Sequence, residues 1–165
     1  MADRPPQVEP AGEEPTVLVI FHSQGGNTLK MAQAVARGAQ EAGARVWLKP
    51  AKEAKLDDLL RCDGLAIGTP EYFGYMAGMV KDFFDRVYEK ALAERTVFRK
   101  PYVLFISAGN DGTGARLSVE RICTGLKLKK VQAPLISRGP VTEETLALCE
   151  ELGAALALGL KERIF

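Results

Sequence analysis

The run Val17-Leu18-Val19-Ile20-Phe21 stops at His22-Ser23-Gln24-Gly25-Gly26-Asn27-Thr28 and gives way to an alanine-rich segment reaching Glu41. No other stretch constrains the fold as much. A β-branched apolar run, a Ser/Gly/Asn/Thr turn and a helical pattern read as a strand, a tight loop and a helix N-terminus. The first turn of a helix leaves backbone N–H groups without intrahelical acceptors and carries partial positive charge, so it is a natural seat for a phosphate. Gly25 and Gly26 let the backbone approach an anion, and the Ser23 and Thr28 hydroxyls can donate to its oxygens. The turn holds no Lys or Arg. The triphosphate P-loop with its Gly-Lys-Ser/Thr end and the three-glycine dinucleotide fingerprint are both absent, which favours a phosphomonoester held by neutral donors.

The strand and helix have room for one core around them. The chain has 165 residues, of which 47% are hydrophobic, the range of a single domain. With 22 basic and 21 acidic residues the net charge is +1, which indicates neither a nucleic-acid partner nor an anionic membrane. Cys62, Cys123 and Cys149 form no Cys-x-x-Cys pair, and His22 is the single histidine, so no zinc ligand set is expected. This usage suits the reducing cytoplasm. No apolar run approaches the ~20 residues needed to cross a bilayer, and the N-terminus lacks the pattern of a signal peptide. Met1 to Pro15, with its prolines and acids and no periodicity, is expected to be a disordered arm, leaving residues 16–165 as the domain.

Further along, Ala32, Val35, Ala36 and Ala39 form one helical stripe that Gly43 is placed to end. Ala44 to Leu48 predicts a more exposed second strand stopped by Pro50. An acid-started turn at Asp57 to Leu60 precedes a third strand, Gly64 to Gly68, whose unbroken apolar character suits a parallel sheet covered on both faces. The next loop, Thr69 to Gly78, carries Tyr72, Phe73 and Tyr75, and aromatic rings on a Pro- and Gly-bounded loop should cover something flat. Met76, Met79, Val80, Phe83 and Val87 then share a helical face, with Lys81, Asp82, Asp85 and Glu89 on the other. The i,i+4 pairs Lys81–Asp85 and Asp82–Arg86 read as a solvated face without a catalytic role. A fourth strand, Tyr102 to Ile106, ends in the glycine-rich loop Ser107 to Gly114, near which Asp111 and Arg116 are the titratable candidates. Ala115, Val119, Ile122, Cys123 and Leu126 mark the core face of the following helix, with Cys123 as an inert core thiol. Val131 to Ser137 predicts a fifth strand, an edge strand on account of Pro134. Thr142-Glu143-Glu144 caps the last helix, whose segment Leu152 to Leu160 is apolar nearly all round and carries Gly153 and Gly159. Such a helix is either deeply buried or shared with another subunit, and a homo-oligomer is the expectation.

Two motifs carry a family resemblance. Val19-Ile20-Phe21-x-Ser23-x-x-Gly26-x-Thr28-x-x-x-Ala32-x-x-Val35 resembles the flavodoxin FMN-phosphate signature at every defined position. Gly68 to Gly78 resembles the isoalloxazine-binding loop, Gly-Thr-Pro-x-x-Phe-Gly-x-Met-Ala-Gly, of the tryptophan-repressor-binding-protein family of NAD(P)H:quinone oxidoreductases. Glu71 departs from the small or aliphatic residue more familiar there, and a carboxylate beside the ring would disfavour an anionic reduced flavin. The resemblance implies FMN as cofactor, NAD(P)H as electron donor and three contacting loops. These are Ser23, Gln24, Gly25, Gly26, Asn27 and Thr28 in the first, Pro70, Glu71, Tyr72, Phe73 and Gly74 in the second, and Ser107, Ala108, Gly109, Asn110 and Gly112 in the third. Backbone N–H groups of Gly109 and Gly112 would face the pyrimidine end of the flavin.

The order of elements predicts a flavodoxin-like, doubly wound α/β domain, a five-stranded parallel sheet of order 2-1-3-4-5 with helices on both faces. Ligands sit where such a sheet reverses its order, outside the carboxyl ends of the strands, and the three unusual loops follow the neighbouring strands one, three and four. The expected function is an FMN-dependent oxidoreductase passing electrons from NAD(P)H to a quinone or other small acceptor, with flavin-based chemistry and no obligatory side-chain acid or base. The alternative is a one-electron carrier between redox protein partners, against which the balanced charge speaks, since such carriers are strongly acidic. A third reading is a redox-inactive regulatory domain. His22, beside the turn, is expected in a local hydrogen bond or phosphate contact, and Ser23 is expected to matter more to FMN retention.

Overall fold

The computed structural model describes residues 14–165. The expected N-terminal arm lies outside the described residues except for Glu14 and Pro15, and the Pro15 carbonyl accepts the Arg45 N–H at 2.8 Å. The chain runs β1 (Thr16–Phe21), α1 (Asn27–Glu41), β2 (Arg45–Pro50), α2 (Leu56–Arg61), β3 (Gly64–Tyr72), β4 (Tyr75–Met76), α3 (Gly78–Glu94), β5 (Pro101–Ala108), α4 (Thr113–Gly125), β6 (Lys129–Lys130), β7 (Leu135–Arg138) and α5 (Glu143–Lys161). The sheet follows β2-β1-β3-β5, with β6 and β7 both paired to the far side of β5. All these pairings are parallel, so the expected strand order holds.

The strand count differs from five for two local reasons. The fifth strand is split into β6 and β7 around Pro134, which has no N–H to give to a ladder. The third strand continues past Gly68 to Tyr72 and turns back through β4, pairing Glu71 with Met76 and Tyr72 with Tyr75. The expected aromatic loop is therefore a hairpin. Pro50 ends β2 from inside the strand rather than beyond it, and β2 is the exposed edge.

Successive strand side chains point to opposite faces, and this alternation divides the core. Leu18, Ile20, Leu65, Ile67, Leu104 and Ile106 are buried on the face covered by α2, α3 and α4. Val17, Val19, Phe21, Ala66, Val103 and Phe105 are buried on the face covered by α1 and α5. On α3 the stripe is Val80, Phe83, Phe84 and Val87, while Met79 stays exposed and Met76 belongs to β4. Arg86 pairs with Asp82 as expected but also donates to the Ala54 and Ala51 carbonyls at 2.8 and 2.9 Å, tying α3 to the segment after β2. That side chain is more than a solvated face.

The apolar character of α5 has an explanation within the chain. A Cβ at Gly153 would collide with the Val35 carbonyl of α1, and one at Gly38 of α1 with the backbone of Glu150 in α5. The two helices meet backbone to backbone at glycines. A Cβ at Gly159 would meet the ring of Phe165, so this glycine too is used inside the chain. Thr142 caps α5 as expected, its hydroxyl accepting the Thr145 N–H at 3.2 Å.

Candidate functional site

β1, β3 and β5 are adjacent in the sheet, so the segments at their carboxyl ends converge. Between them lies an open cleft of about 270 Å³. Its lining draws on the turn after β1 (Ser23, Gln24, Gly25, Asn27, Thr28), the end of β3 (Pro70, Glu71, Tyr72) and the end of β5 (Ser107, Ala108, Gly109). Two hydrogen-bond bridges link these segments. The Tyr72 hydroxyl donates to Gln24 Oε1 at 3.1 Å, and the Glu71 carboxylate accepts the N–H groups of Gly112 at 3.3 Å and Ala115 at 3.1 Å.

The remaining expected residues sit elsewhere. Gly26 is the N-cap of α1 at φ 100°, a left-handed conformation that favours glycine, and its N–H donates to Ser23 Oγ at 3.2 Å. Phe73 and Gly74 form the hairpin tip at φ 53° and 71°, and Phe73 is fully exposed, away from the cleft. Asn110 is exposed and does not line the cleft. Gly112 begins α4, packed on Ile136, and its N–H is already given to Glu71. The N–H expected to face a ring is thus engaged by the Glu71 carboxylate, whereas Gly109 is open, with nothing within 4 Å of a Cβ built there.

Gly139 was missed. It lines the cleft at the end of β7 and donates its N–H to the Ala108 carbonyl at 2.9 Å. The signal was present in Gly139-Pro140 directly after the fifth strand, at the same carboxyl edge as the other three loops.

Two helices of ordinary length present N-termini near the cleft, and they differ in charge. On α4 the Glu71 carboxylate occupies the positive end, and Asp111 Oδ1 accepts the Thr113 N–H at 3.0 Å. That hydrogen bond, from a backbone donor, holds the Asp111 carboxyl below its ordinary value. Gly114 packs against the Gly74 carbonyl, so the hairpin also covers this end. On α1 there is no side-chain cap and no acidic residue in the first turn. The amides of Asn27, Thr28 and Leu29 therefore have no intrahelical acceptor. A Cβ at Gly25 would meet nothing within 4 Å, so the backbone there borders open space. An anion could be held at the end of α1 by neutral donors, with Tyr72 beside it and open backbone at Gly109 across the cleft. This donor set fits a phosphate tail and a flat ring, the two parts of FMN.

Among the described residues that line the cleft, Glu71 is the one carboxylate. Its role answers the departure noted in the sequence, since the carboxylate serves a helix N-terminus and holds the second and third loops together. The hairpin beneath it is fastened by Thr69, whose hydroxyl accepts the Ala77 N–H at 2.9 Å and donates to the Pro70 carbonyl at 2.8 Å. Ser118 of α4 accepts the Met76 N–H at 3.1 Å.

His22 does not face the phosphate turn. Its imidazole meets the Tyr72 ring edge-on, with centroids 6.2 Å apart, and lines a second cavity with Lys52 and Met79. Cys62, Cys123 and Cys149 are buried and free and do not line the cleft, and Cys123 lies in the core as expected. Among the described residues no cluster of His, Cys, Asp or Glu could hold a metal ion, and no helix is long and apolar enough to cross a membrane.

The family model for flavodoxin matches residues 19–151. A flavodoxin of Aquifex aeolicus is 34% identical over 158 residues, covering 86% of this chain and 84% of that one. An NAD(P)H dehydrogenase (quinone) of Paracoccus denitrificans is 32% identical over 130 residues, covering 67% of this chain and 62% of that protein. Among solved structures, a flavodoxin from the domain Archaea aligns with a TM-score of 0.77 at 22% identity over 88% of this chain and 99% of its own. A WrbA-like flavodoxin from Agrobacterium tumefaciens aligns with a TM-score of 0.75 at 21% identity, over 90% and 98%. At these identities the two structures speak for the fold alone. With the fold, the uncapped α1 seat and the matched span together, the chain belongs to the flavodoxin family, and FMN is the cofactor that goes with it.

Proposed function

We propose that this protein holds FMN in the cleft between β1, β3 and β5 and acts as an oxidoreductase, taking electrons from NAD(P)H and delivering them to a quinone or another small acceptor. The observation that carries the reading is the asymmetry of the two helix ends: α1 offers free amides and hydroxyls to a phosphate while Glu71 already fills the end of α4. When bound, FMN supplies hydride and single-electron chemistry.

The chain's own residues bind and orient. The first-turn amides of α1 with the Thr28 hydroxyl take the phosphate, and Ser23, by accepting the Gly26 N–H, holds that turn in shape. Tyr72, fixed by its bond to Gln24, screens one side of the cleft from water. Backbone of Pro70 and Ser107 to Gly109 would border the ring edge, and Gly139 would close that end. Glu71 uses both oxygens as acceptors, so it orders the cleft rather than delivering a proton, and protons exchange with solvent. Positioning is the protein's main contribution.

Two observations bear on the direction of electron flow. The balanced net charge of +1 and the relatives named as quinone dehydrogenases support the reductase. The fuller alignment with the Aquifex flavodoxin favours a carrier between protein partners as the second reading. Anaerobic stopped-flow of the FMN-loaded protein separates them. Rapid bleaching of the flavin band by NADPH or NADH, reversed by quinone, is expected; flavin that binds but is reduced by neither nucleotide would transfer the proposal to the carrier, and failure to bind flavin would refute both.

A further inference from the structure

A second cavity, of about 370 Å³, adjoins the cleft from the β2 side. Phe21, Pro50, Ala51 and Met79 give it an apolar lining, and His22 and Lys52 bring an imidazole and an ammonium group. Among the described residues no carboxylate lines it. Ser23 lines both cavities, and the Tyr72 ring of the first meets the His22 ring of the second edge-on.

Among the described residues no ion pair involves Lys52 or His22, although Lys49, three positions earlier, is paired with Asp58 at 2.8 Å. Burial and the field of Lys52 hold the His22 imidazole below its ordinary value, so the two groups sense each other across this cavity. A site with an apolar floor, one free ammonium and one imidazole, without acids, takes a flat apolar group carrying an anion. The volume is at the low end for a small-molecule site.

We propose that the His22–Lys52 cavity is a second anion subsite, which takes the adenosine phosphate half of a nicotinamide dinucleotide while its nicotinamide half reaches over the Tyr72 wall into the flavin cleft. This rests on the reductase reading. It assigns the donor an entry from the β2 side. The FMN phosphate and the dinucleotide phosphate are then held on opposite sides of the turn after β1, each by its own donors, and do not compete.

Isothermal titration of the FMN-loaded protein with adenosine 2′,5′-bisphosphate and with 5′-AMP tests the subsite without any redox step, because neither probe carries nicotinamide. Binding of at least one probe is expected, and comparison of the two tells whether the 2′- or the 5′-phosphate is the anion recognised. Lys52→Ala should weaken it about tenfold, the effect of one charge-assisted contact at an exposed rim. Lys52→Arg should restore it, and FMN affinity should stay the same in both variants. Absence of binding up to about 1 mM, the upper end of ordinary substrate constants, or equal binding by wild type and Lys52→Ala, overturns the subsite. If NADPH still bleaches the flavin in that case, the reductase reading stands without it. If the probes bind and depend on Lys52 but neither nicotinamide nucleotide reduces the flavin, the donor assignment falls together with the reductase reading.

Discussion

Removing the Glu71 carboxylate should cost stability, and the structure sets the size. Its two oxygens accept N–H groups at 3.3 and 3.1 Å from the first turn of α4. A hydrogen bond to a charged group contributes about 1.5 to 3 kcal/mol, and an acid at a helix N-terminus adds about 0.3 to 1. The side chain is only half-buried, so water can replace part of both bonds once the carboxylate is gone. Glu71→Ala is therefore expected to lose about 2 kcal/mol, and Glu71→Gln, which keeps one acceptor, about 1. For a chain of this size that corresponds to a fall in Tm of roughly 4 to 8 °C for the alanine variant. Urea unfolding of the FMN-free protein followed by far-ultraviolet circular dichroism gives the order wild type, Gln, Ala. Amide exchange by NMR adds a local readout, with protection lost at Gly112 and Ala115 and kept along α1. An alanine variant within about 0.5 kcal/mol of wild type and unchanged protection at both amides would show that the carboxylate does not hold α4 in solution.

Other substitutions separate binding from folding. Gly25→Ala places its methyl in open space at the phosphate turn, so stability of the FMN-free protein should hold within about 0.5 kcal/mol. FMN affinity, measured by fluorescence titration, should fall at least tenfold; an unchanged value would remove the phosphate from this turn. At Gly38 or Gly153 the opposite is expected, since a methyl would enter the backbone of the facing helix and overpacking of this kind costs about 3 kcal/mol or more. A urea midpoint close to wild type for Gly153→Ala would refute the close helix contact. Burial pushes the Cys62 thiol up to about 11 and the Cys149 thiol up to about 12, and raises Cys123 as well. The native state keeps these protons longer than the unfolded chain, so their contribution is complete below the ordinary thiol value and is lost as pH rises from there toward 11. Cys62 alone should remove up to about 1.4 kcal/mol per pH unit in that window. Urea midpoints measured between pH 8 and 10.5 should fall, and fall less steeply in Cys62→Ala; equal slopes would exclude the thiol as a cause.

The parts legible from sequence were those whose partners lie close along the chain. The shape of the turn after β1 was readable because Ser23, Gly26 and Thr28 lie within one strand-to-helix corner, and the Ser23–Gly26 bond spans three residues. The strand order followed from alternating elements and their handedness. The bond partners of Glu71 lie 41 and 44 residues downstream, so its position at the end of α4 had no local signature. Phe73 looked like a ligand contact by composition, yet the two-residue β4 turns it outward at φ 53°. Arg86 read as one half of a surface pair because the carbonyls it reaches, Ala51 and Ala54, belong to another element. The glycines of the apolar last helix meet α1 and Phe165, contacts that periodicity does not encode.

The contact between α1 and α5 bears on how the cleft meets its ligand. Where backbone lies on backbone there are no side-chain rotamers to rearrange, so α1 has little freedom to slide or rock. Its free end is then set before any ligand arrives, and recognition at that end is a matter of matching a fixed template. The entropy of ordering that seat is lost once, when the chain folds, and is not charged again at each binding event.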